Sequence, residues 1–195
     1  MKNVLILGAN GSLARVATDL FLMQTDAHLT LFLREAQRLR NPDPRRVRVV
    51  EGDVFETAEL QEAMAGQDVV YANLAGDMPR QAKSILNAMH EVGVRRLIFI
   101  SSMGIYDEVP GQEYSSILDP YRDSARVIEA SDVDYTILRP AWFTGADEID
   151  YETTQKGEPF RGGKVSRKSV AALIAKLALS PDLEIRRSLG VSKPE

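Results

Sequence analysis

The chain has 195 residues, of which 44% are hydrophobic, and a formal net charge of -4 at pH 7. This length predicts one domain over residues 1–195, and the acidic balance argues against non-specific nucleic-acid binding, which needs cations to neutralise phosphates. The absence of cysteine excludes disulfides and thiolate catalysis. Without a signal-peptide pattern or an apolar run of membrane-spanning length, the protein is expected to be soluble and cytoplasmic.

Strand-like and helix-like segments alternate from the first residues to about residue 140. Strands are predicted at 4–7, 29–33, 47–50, 68–74, 96–100 and 134–138. Helices are predicted over 13–21, over 57–65 with Thr57 as N-cap and Gly66 as stop, over 80–91, and over 120–130. This alternation predicts an α/β fold with a doubly wound parallel sheet and helices on both of its faces.

The regular alternation weakens after Pro140. Residues 141–163 contain Trp142, Phe143, Phe160 and four glycines, and they are predicted to form a long loop. Ser166 is expected to cap a helix that ends at Leu179, and residues 184–191 are expected to form a final strand. Residues 141–195 are therefore interpreted as a C-terminal excursion on the substrate side of the same domain.

The first strand ends in a glycine-rich turn that is typical of a phosphate-binding site. Gly8 permits a tight turn, Gly11 removes a Cβ where a pyrophosphate would approach, and Ala14 lets the helix pack closely. The helix start directs free N–H groups at an anion. The predicted contacts of the turn are Gly8, Asn10, Gly11, Ser12 and Leu13. A purely structural strand-to-helix turn is the alternative.

The end of the second strand distinguishes the two nicotinamide dinucleotides. Arg34 stands there, and an arginine neutralises the 2′-phosphate of NADP, whereas a carboxylate would bind the ribose hydroxyl of NAD. NADP(H) is therefore favoured, and the neighbouring Glu35 keeps NAD(H) as the alternative. Further arginines in this region form either a cofactor-binding patch or a solvated surface; they are Arg38, Arg40, Arg45, Arg46 and Arg48.

Two later strand ends supply further candidate contacts. Asp53 either accepts a hydrogen bond from the adenine amine, with Val54 packing on the ring, or caps the following turn. Leu74, Ala75 and Gly76 are small or apolar residues that leave room for the cofactor, although they also fit an ordinary strand-to-loop break.

Catalytic candidates follow the fifth strand. Ser102 is suited to hydrogen-bond an acceptor, while Tyr106 and Tyr121 are the candidate proton donors. For a tyrosine to donate a proton near neutral pH, a nearby cation must lower its pKa. This cation is usually a lysine one helical turn later. Ala125 stands at that distance from Tyr121, so the lysine is missing, and Arg126 is the remaining candidate. The two histidines form no metal set, and the acidic segment containing Asp147, Glu148, Asp150 and Glu152 is expected to be a solvated loop rather than a cation site.

Four segments resemble the atypical short-chain dehydrogenase/reductases, close to the NmrA-like group. They are Gly8 to Ala14, Gly52-Asp53-Val54, Leu97 to Ser102, and Asp134 to Pro140. The resemblance implies a Rossmann fold, dinucleotide contacts from the first turn, Arg34, Asp53 and the 74–76 loop, and a pocket between Ser102 and the segment after Pro140. Ser101 and Pro140 are the further cofactor contacts expected at these strand ends.

The missing lysine leaves two functions of different classes. The first is an NAD(P)H-dependent oxidoreductase that reduces a small flavin, quinone or carbonyl acceptor, with the cofactor supplying most of the chemistry. The second is a non-catalytic sensor that binds the dinucleotide and a protein partner. A sugar-nucleotide epimerase is a third, weaker hypothesis, because it needs the same tyrosine and lysine.

Overall fold

A computed structural model describes residues 1–39 and 42–194. The strands are β1 (Asn3–Leu7), β2 (His28–Leu33), β3 (Val47–Glu51), β4 (Val69–Ala72), β5 (Arg96–Ile100), β6 (Asp134–Pro140), β7 (Trp142–Thr144), β8 (Glu152–Thr154), β9 (Lys164–Ser166) and β10 (Arg187–Ser192). The α-helices are α1 (Ser12–Gln24), α2 (Thr57–Met64), α3 (Met78–Val92), α4 (Asp119–Glu129) and α5 (Arg167–Leu179).

An eight-stranded sheet organises these elements in the order β3-β2-β1-β4-β5-β6-β10-β8. Its pairings are parallel except that between β10 and the edge strand β8. The strand order reverses between β1 and β4, and ligands of such sheets bind outside the carboxyl ends of the strands at this reversal. The short strands β7 and β9 pair separately beside this edge of the sheet.

Helices cover both faces of the sheet, as the sequence predicts. Apolar residues of α1 and α5 pack on one face, around Ile6 and Ile98. Those of α2, α3 and α4 pack on the other face, around Leu5 and Leu97. Alternate residues of each central strand therefore enter opposite cores, which explains why these strands are continuously apolar.

Two details of the predicted secondary structure were wrong. Thr57 is the first residue of α2 rather than its cap, and Glu56 occupies the cap position without a side-chain hydrogen bond. The predicted loop 141–163 contains β7 and β8, three-residue strands whose partners lie elsewhere along the chain. The prediction at Ser166 was correct, since its side chain accepts a hydrogen bond from the N–H of Ser169. Among the described residues, no helix is long and apolar enough to cross a bilayer.

Candidate dinucleotide-binding site

The turn after β1 requires glycine at one position and is tightly packed at a second. Gly8 has a φ of +77°, in the left-handed region, and a Cβ there would overlap the carbonyl oxygen of Asn73. At Gly11, a Cβ would come within 2.5 Å of the Asn73 side-chain nitrogen. The Gly11 N–H donates to the Gly8 carbonyl oxygen at 3.0 Å, which closes the turn. The turn is thus compressed against the end of β4, where the strand order reverses.

The N-terminus of α1 opens beside this turn. Its cap residue, Gly11, contributes no side-chain hydrogen bond, and its first turn contains no acidic residue. The first N–H groups of the helix therefore remain free to bind an anion, assisted by the helix dipole. The side chain of Asn10 is engaged by Arg15, which donates to both its carbonyl and its side-chain oxygen.

Arg34 follows β2 at the carboxyl edge of the sheet and lines the same cleft as the glycine turn, together with Glu35. Both side chains are exposed. In those Rossmann folds that bind NADP, an arginine near the end of this strand accommodates the 2′-phosphate.

The other described arginines of the predicted basic patch have structural partners. Arg45 pairs with Asp43 at 3.2 Å, and Arg48 pairs with Glu62 at 3.5 Å. Arg46 donates to carbonyl oxygens at the end of α1 and just beyond it, among them those of Leu22 and Thr25 at 3.0 and 2.7 Å. Arg40 and the side chain of Arg38 lie outside the described part of the chain. The patch is therefore divided between Arg34 in the cleft and arginines that hold the surrounding surface.

Asp53 performs the turn-capping role that the sequence allowed. Its Oδ1 accepts the N–H of Phe55 at 3.0 Å, and its carbonyl oxygen accepts that of Glu56 at 2.9 Å. Asp53 and Val54 also line the cleft. Phe55 forms part of the same wall, and the Arg80 guanidinium lies 4.4 Å from its ring centroid.

Gln81 on α3 is a cleft residue that was not predicted from the sequence. Its Nε2 donates to the Ala75 carbonyl oxygen at 2.9 Å, which ties the helix to the loop after β4. Its Oε1 is buried and has no hydrogen-bond partner among the described residues. Gln81 also lines the cleft, and a buried acceptor of this kind is normally satisfied in a folded protein. The only sequence signal was its position one turn into a helix that follows a small-residue loop.

These features surround one cleft of about 910 Å³. It is lined by Gly8, Asn10, Gly11, Ser12, Phe32, Leu33, Arg34, Glu35, Gly52, Asp53, Val54, Phe55, Asn73, Leu74, Ala75 and Gln81. Four predicted contacts lie outside this lining. Leu13 is buried in the core under α1, Gly76 is exposed beyond Ala75, and Ser101 and Pro140 are buried after β5 and at the end of β6.

The three catalytic candidates are not gathered into one proton relay. Ser102 is half-buried just after β5, and its hydroxyl donates to the Met103 carbonyl oxygen at 3.1 Å. The Tyr106 hydroxyl donates to Glu129 at 2.7 Å. Burial raises the pKa of Tyr106 above its ordinary value, which is opposite to the activation that a proton donor needs. Tyr106 thus belongs to a structural network.

Tyr121 packs against the core beneath α4. Ala125, where the lysine of a tyrosine–lysine pair would stand, is fully buried. Arg126, the remaining candidate cation, faces solvent and pairs with Asp123 at 2.9 Å. Neither Ala125 nor Arg126 therefore places a cation beside Tyr121.

A buried ion pair supports the segment that carries Ser102. Arg139 is 0% exposed and pairs with Glu108. The Glu108 carboxylate also accepts the backbone N–H groups of Gly104 and Tyr106, at 3.0 and 2.7 Å. Arg139 donates further to the Ser188 hydroxyl at 3.1 Å. This network joins the segment after β5 to β6 and β10.

The acidic segment 147–152 is neutralised by basic residues. Lys168 pairs with Asp147, Arg161 pairs with Glu152, and Lys193 pairs with both Glu148 and Asp150. In the part of the chain that the structure describes, no group of three histidines or carboxylates is arranged to hold a metal ion.

The glycine turn at the strand-order reversal, the open start of α1 and the long cleft beside them define a Rossmann-type dinucleotide-binding protein. A family model described as NAD(P)H-binding matches residues 8–181. The chain therefore belongs to this NAD(P)H-binding family, which confirms the resemblance inferred from its sequence.

Solved structures and a curated relative agree with this assignment. The chain is 47% identical to a Rossmann-fold NAD(P)-binding family protein from Shigella flexneri, covering 100% of this chain and 94% of that one, with a TM-score of 0.88. It is 31% identical to a wide-type short-chain dehydrogenase/reductase from Veillonella parvula in complex with NADP, covering 99% and 95%, with a TM-score of 0.90. It is also 27% identical, over 74% of its length, to phenylcoumaran benzylic ether reductase PT1 from Pinus taeda, and spans 50% of that relative.

Proposed function

We propose that this protein is a reductase that binds NADP(H) in preference to NAD(H) and reduces a small acceptor. The observation that carries the proposal is that Arg34 lines the same cleft as the glycine turn and the open start of α1. A pyrophosphate bound at the turn would leave the adenosine end of the cofactor beside Arg34, Asp53 and Val54. The relatives described as reductases support the same reaction type.

The cleft offers complementary groups to each part of a dinucleotide. Gly8 and Gly11 let the turn pack closely against Asn73, and the uncapped start of α1 beside this turn offers free N–H groups to the pyrophosphate. The guanidinium of Arg34 is suited to a 2′-phosphate, since arginine binds phosphate through charged, bidentate hydrogen bonds. Gln81 places a side-chain amide on the wall of the cleft, where an amide group is suited to hydrogen-bond a ribose hydroxyl or the adenine amine. When bound, the nicotinamide supplies the reducing equivalents of the reaction.

The acceptor would lie between Ser102 and the residues that follow β6. Trp142 is 74% exposed, and Phe143 is exposed beside it. These aromatic surfaces suit a planar, conjugated acceptor, and the Ser102 hydroxyl suits a hydrogen bond to its polar edge. Such an acceptor needs little acid catalysis, which agrees with the structural roles of Tyr106 and Tyr121.

A fluorescence titration with NADPH and NADH tests the cofactor preference. Arg34→Glu should weaken NADPH binding by at least about tenfold and shift the preference towards NADH, because the charge facing the 2′-phosphate is reversed. Arg45→Glu is the matched control, since Arg45 undergoes the same charge change but pairs with Asp43. If the wild-type protein binds neither dinucleotide, the proposed function is wrong.

A non-catalytic sensor is the second candidate, favoured by the buried Ala125 at the position of the missing lysine. A steady-state screen with NADPH and flavins, quinones and small carbonyls separates the two functions. Turnover above background with any acceptor supports the reductase. Tight NADPH binding without turnover, together with a protein partner whose capture depends on NADP(H), would support the sensor instead.

A further inference from the structure

The N-terminus of α5 places a basic side chain beside the phosphate turn. Helices α1 and α5 pack on the same face of the sheet. Helix α1 follows the parallel strand β1, and α5 precedes the parallel strand β10. Because such helices run antiparallel to the strands, both begin at the carboxyl edge of the sheet, where the cleft lies. Arg167 is the first residue of α5, after its cap Ser166.

Three contacts hold the Arg167 guanidinium in one orientation. Its Nε donates to the Ser12 hydroxyl at 3.1 Å, although 155 residues separate the two positions. Its Nη1 donates to the Thr144 carbonyl oxygen at 3.2 Å, and the group lies 5.2 Å from the Phe143 ring centroid. Ser12 is the first residue of α1 and lines the cleft.

Arg167 is a cation without a local counter-charge. Within residues 1–39 and 42–194, no carboxylate forms an ion pair with it, whereas the adjacent Lys168 pairs with Asp147 at 2.6 Å. It also lies at the starts of two helices, where the dipoles disfavour a positive charge. An anion bound between the two helix starts would supply the missing negative charge and would accept hydrogen bonds from Nη2 of Arg167.

We propose that Arg167 binds the pyrophosphate of the dinucleotide from the side opposite the glycine turn. This inference rests on the dinucleotide binding in the proposed function and adds a cofactor-binding residue from the C-terminal part of the chain. Because NADPH and NADH share the pyrophosphate, Arg167 should contribute to affinity for both and should leave the preference between them unchanged. Arg34, by contrast, is expected to change that preference.

The test compares Arg167→Gln, Arg167→Lys and Lys168→Gln with the wild-type protein. Arg167→Gln should raise the Kd for NADPH and for NADH by the same factor, roughly tenfold or more. Arg167→Lys keeps the charge but loses the planar fork and should show a smaller loss. Lys168→Gln removes a neighbouring charge that is already paired, and both Kd values should stay within about twofold.

Competition by inorganic pyrophosphate provides a second readout. Pyrophosphate should displace NADPH from the wild-type protein at lower concentration than from Arg167→Lys, which would decide the question even if Arg167→Gln failed to fold. A circular dichroism melt of each variant checks its folding. If the wild-type protein binds neither dinucleotide, the proposed function itself fails.

Three other results would overturn this inference alone. The first is an unchanged Kd for both dinucleotides in Arg167→Gln with unchanged pyrophosphate competition. The second is a loss confined to NADPH, which would make Arg167 a ligand of the 2′-phosphate. The third is an unchanged Kd with a raised KM for an anionic acceptor, which would assign Arg167 to the acceptor.

Discussion

Glu108 and Arg139 pair where neither side chain reaches solvent, and the same carboxylate accepts two backbone N–H groups of the segment that follows Ser102. The pair therefore determines the path of residues 104–108 as well as neutralising a buried guanidinium. Removing one partner leaves the other charged and without its counter-ion in a low-dielectric interior.

Glu108→Ala should accordingly lower the free energy of unfolding by about 3–5 kcal/mol. Urea denaturation measures the loss. Glu62→Ala is the control, because both side chains of its pair with Arg48 are exposed, and surface pairs contribute about 0–1 kcal/mol. Equal effects of the two substitutions would contradict a special role for the buried pair.

Gly8→Ala should impair both stability and dinucleotide binding. The left-handed backbone costs a residue with a Cβ about 1–2 kcal/mol, and the overlap with the Asn73 carbonyl oxygen adds to that cost. Gly145→Ala is the matched control, since a Cβ there meets nothing within 4 Å and its φ is not left-handed. Thermal melts and NADPH titrations of both variants check the expectation; an unchanged Gly8→Ala protein would refute it.

Gln81→Ala should raise the Kd for the dinucleotide several-fold and lower the stability of the fold only slightly. The substitution removes an acceptor that has no partner in the described structure, and it removes one hydrogen bond to Ala75, worth about 1 kcal/mol. Asn87→Ala, at an exposed position later on α3, should change neither property. Paired measurements of Kd and urea midpoint distinguish the outcomes, and a stability loss without an affinity loss would assign Gln81 a purely structural role.

Alkaline pH should destabilise the protein through its buried tyrosines. Burial raises the pKa of Tyr106 and of Tyr71 in the folded state, whereas in the unfolded chain a tyrosine titrates near its ordinary value of about 10. Above that pH the unfolded chain loses protons that the folded protein keeps. The resulting stability is thus complete below pH of about 10 and declines as the pH rises further.

Tyr106→Phe removes one of these groups. The urea midpoint of the variant should therefore fall less than that of the wild-type protein between pH 8 and about 10.5. Because Tyr106 is not expected to donate a proton to the acceptor, the shape of the pH–rate profile should be unchanged by the substitution. If Tyr106→Phe removed one limb of the pH–rate profile, Tyr106 would be a proton donor in the reaction.

Local patterns predicted the fold and most of the residues that the structure brings together in the cleft. Continuous apolar runs identified the buried parallel strands, and the spacing of Gly8 and Gly11 identified the turn, because both signals lie within a few neighbouring residues. The same is true of Arg34, whose position at a strand end follows from the strand alone.

Features that depend on distant contacts could not be predicted. Arg139 and Glu108 are separated by 31 residues, and Arg167 and Ser12 by 155. The three-residue strands β7 and β8 carry too little local preference and exist because β9 and β10 pair with them. Gln81 was missed for the same reason, since its role is defined by the loop that packs against it.

The carbonyl contacts of Arg46 have a consequence at the opposite end of α1. A guanidinium bound to the carbonyl oxygens of Leu22 and Thr25 supplies positive charge to the negative pole of the helix. An anion bound at the Gly11 end would place negative charge at the positive pole, so that each pole of the helix dipole would face a charge of opposite sign. Helix α1 is thereby oriented and anchored at the pole remote from the ligand, so it can receive a phosphate as a rigid body, without a rearrangement that would reduce affinity.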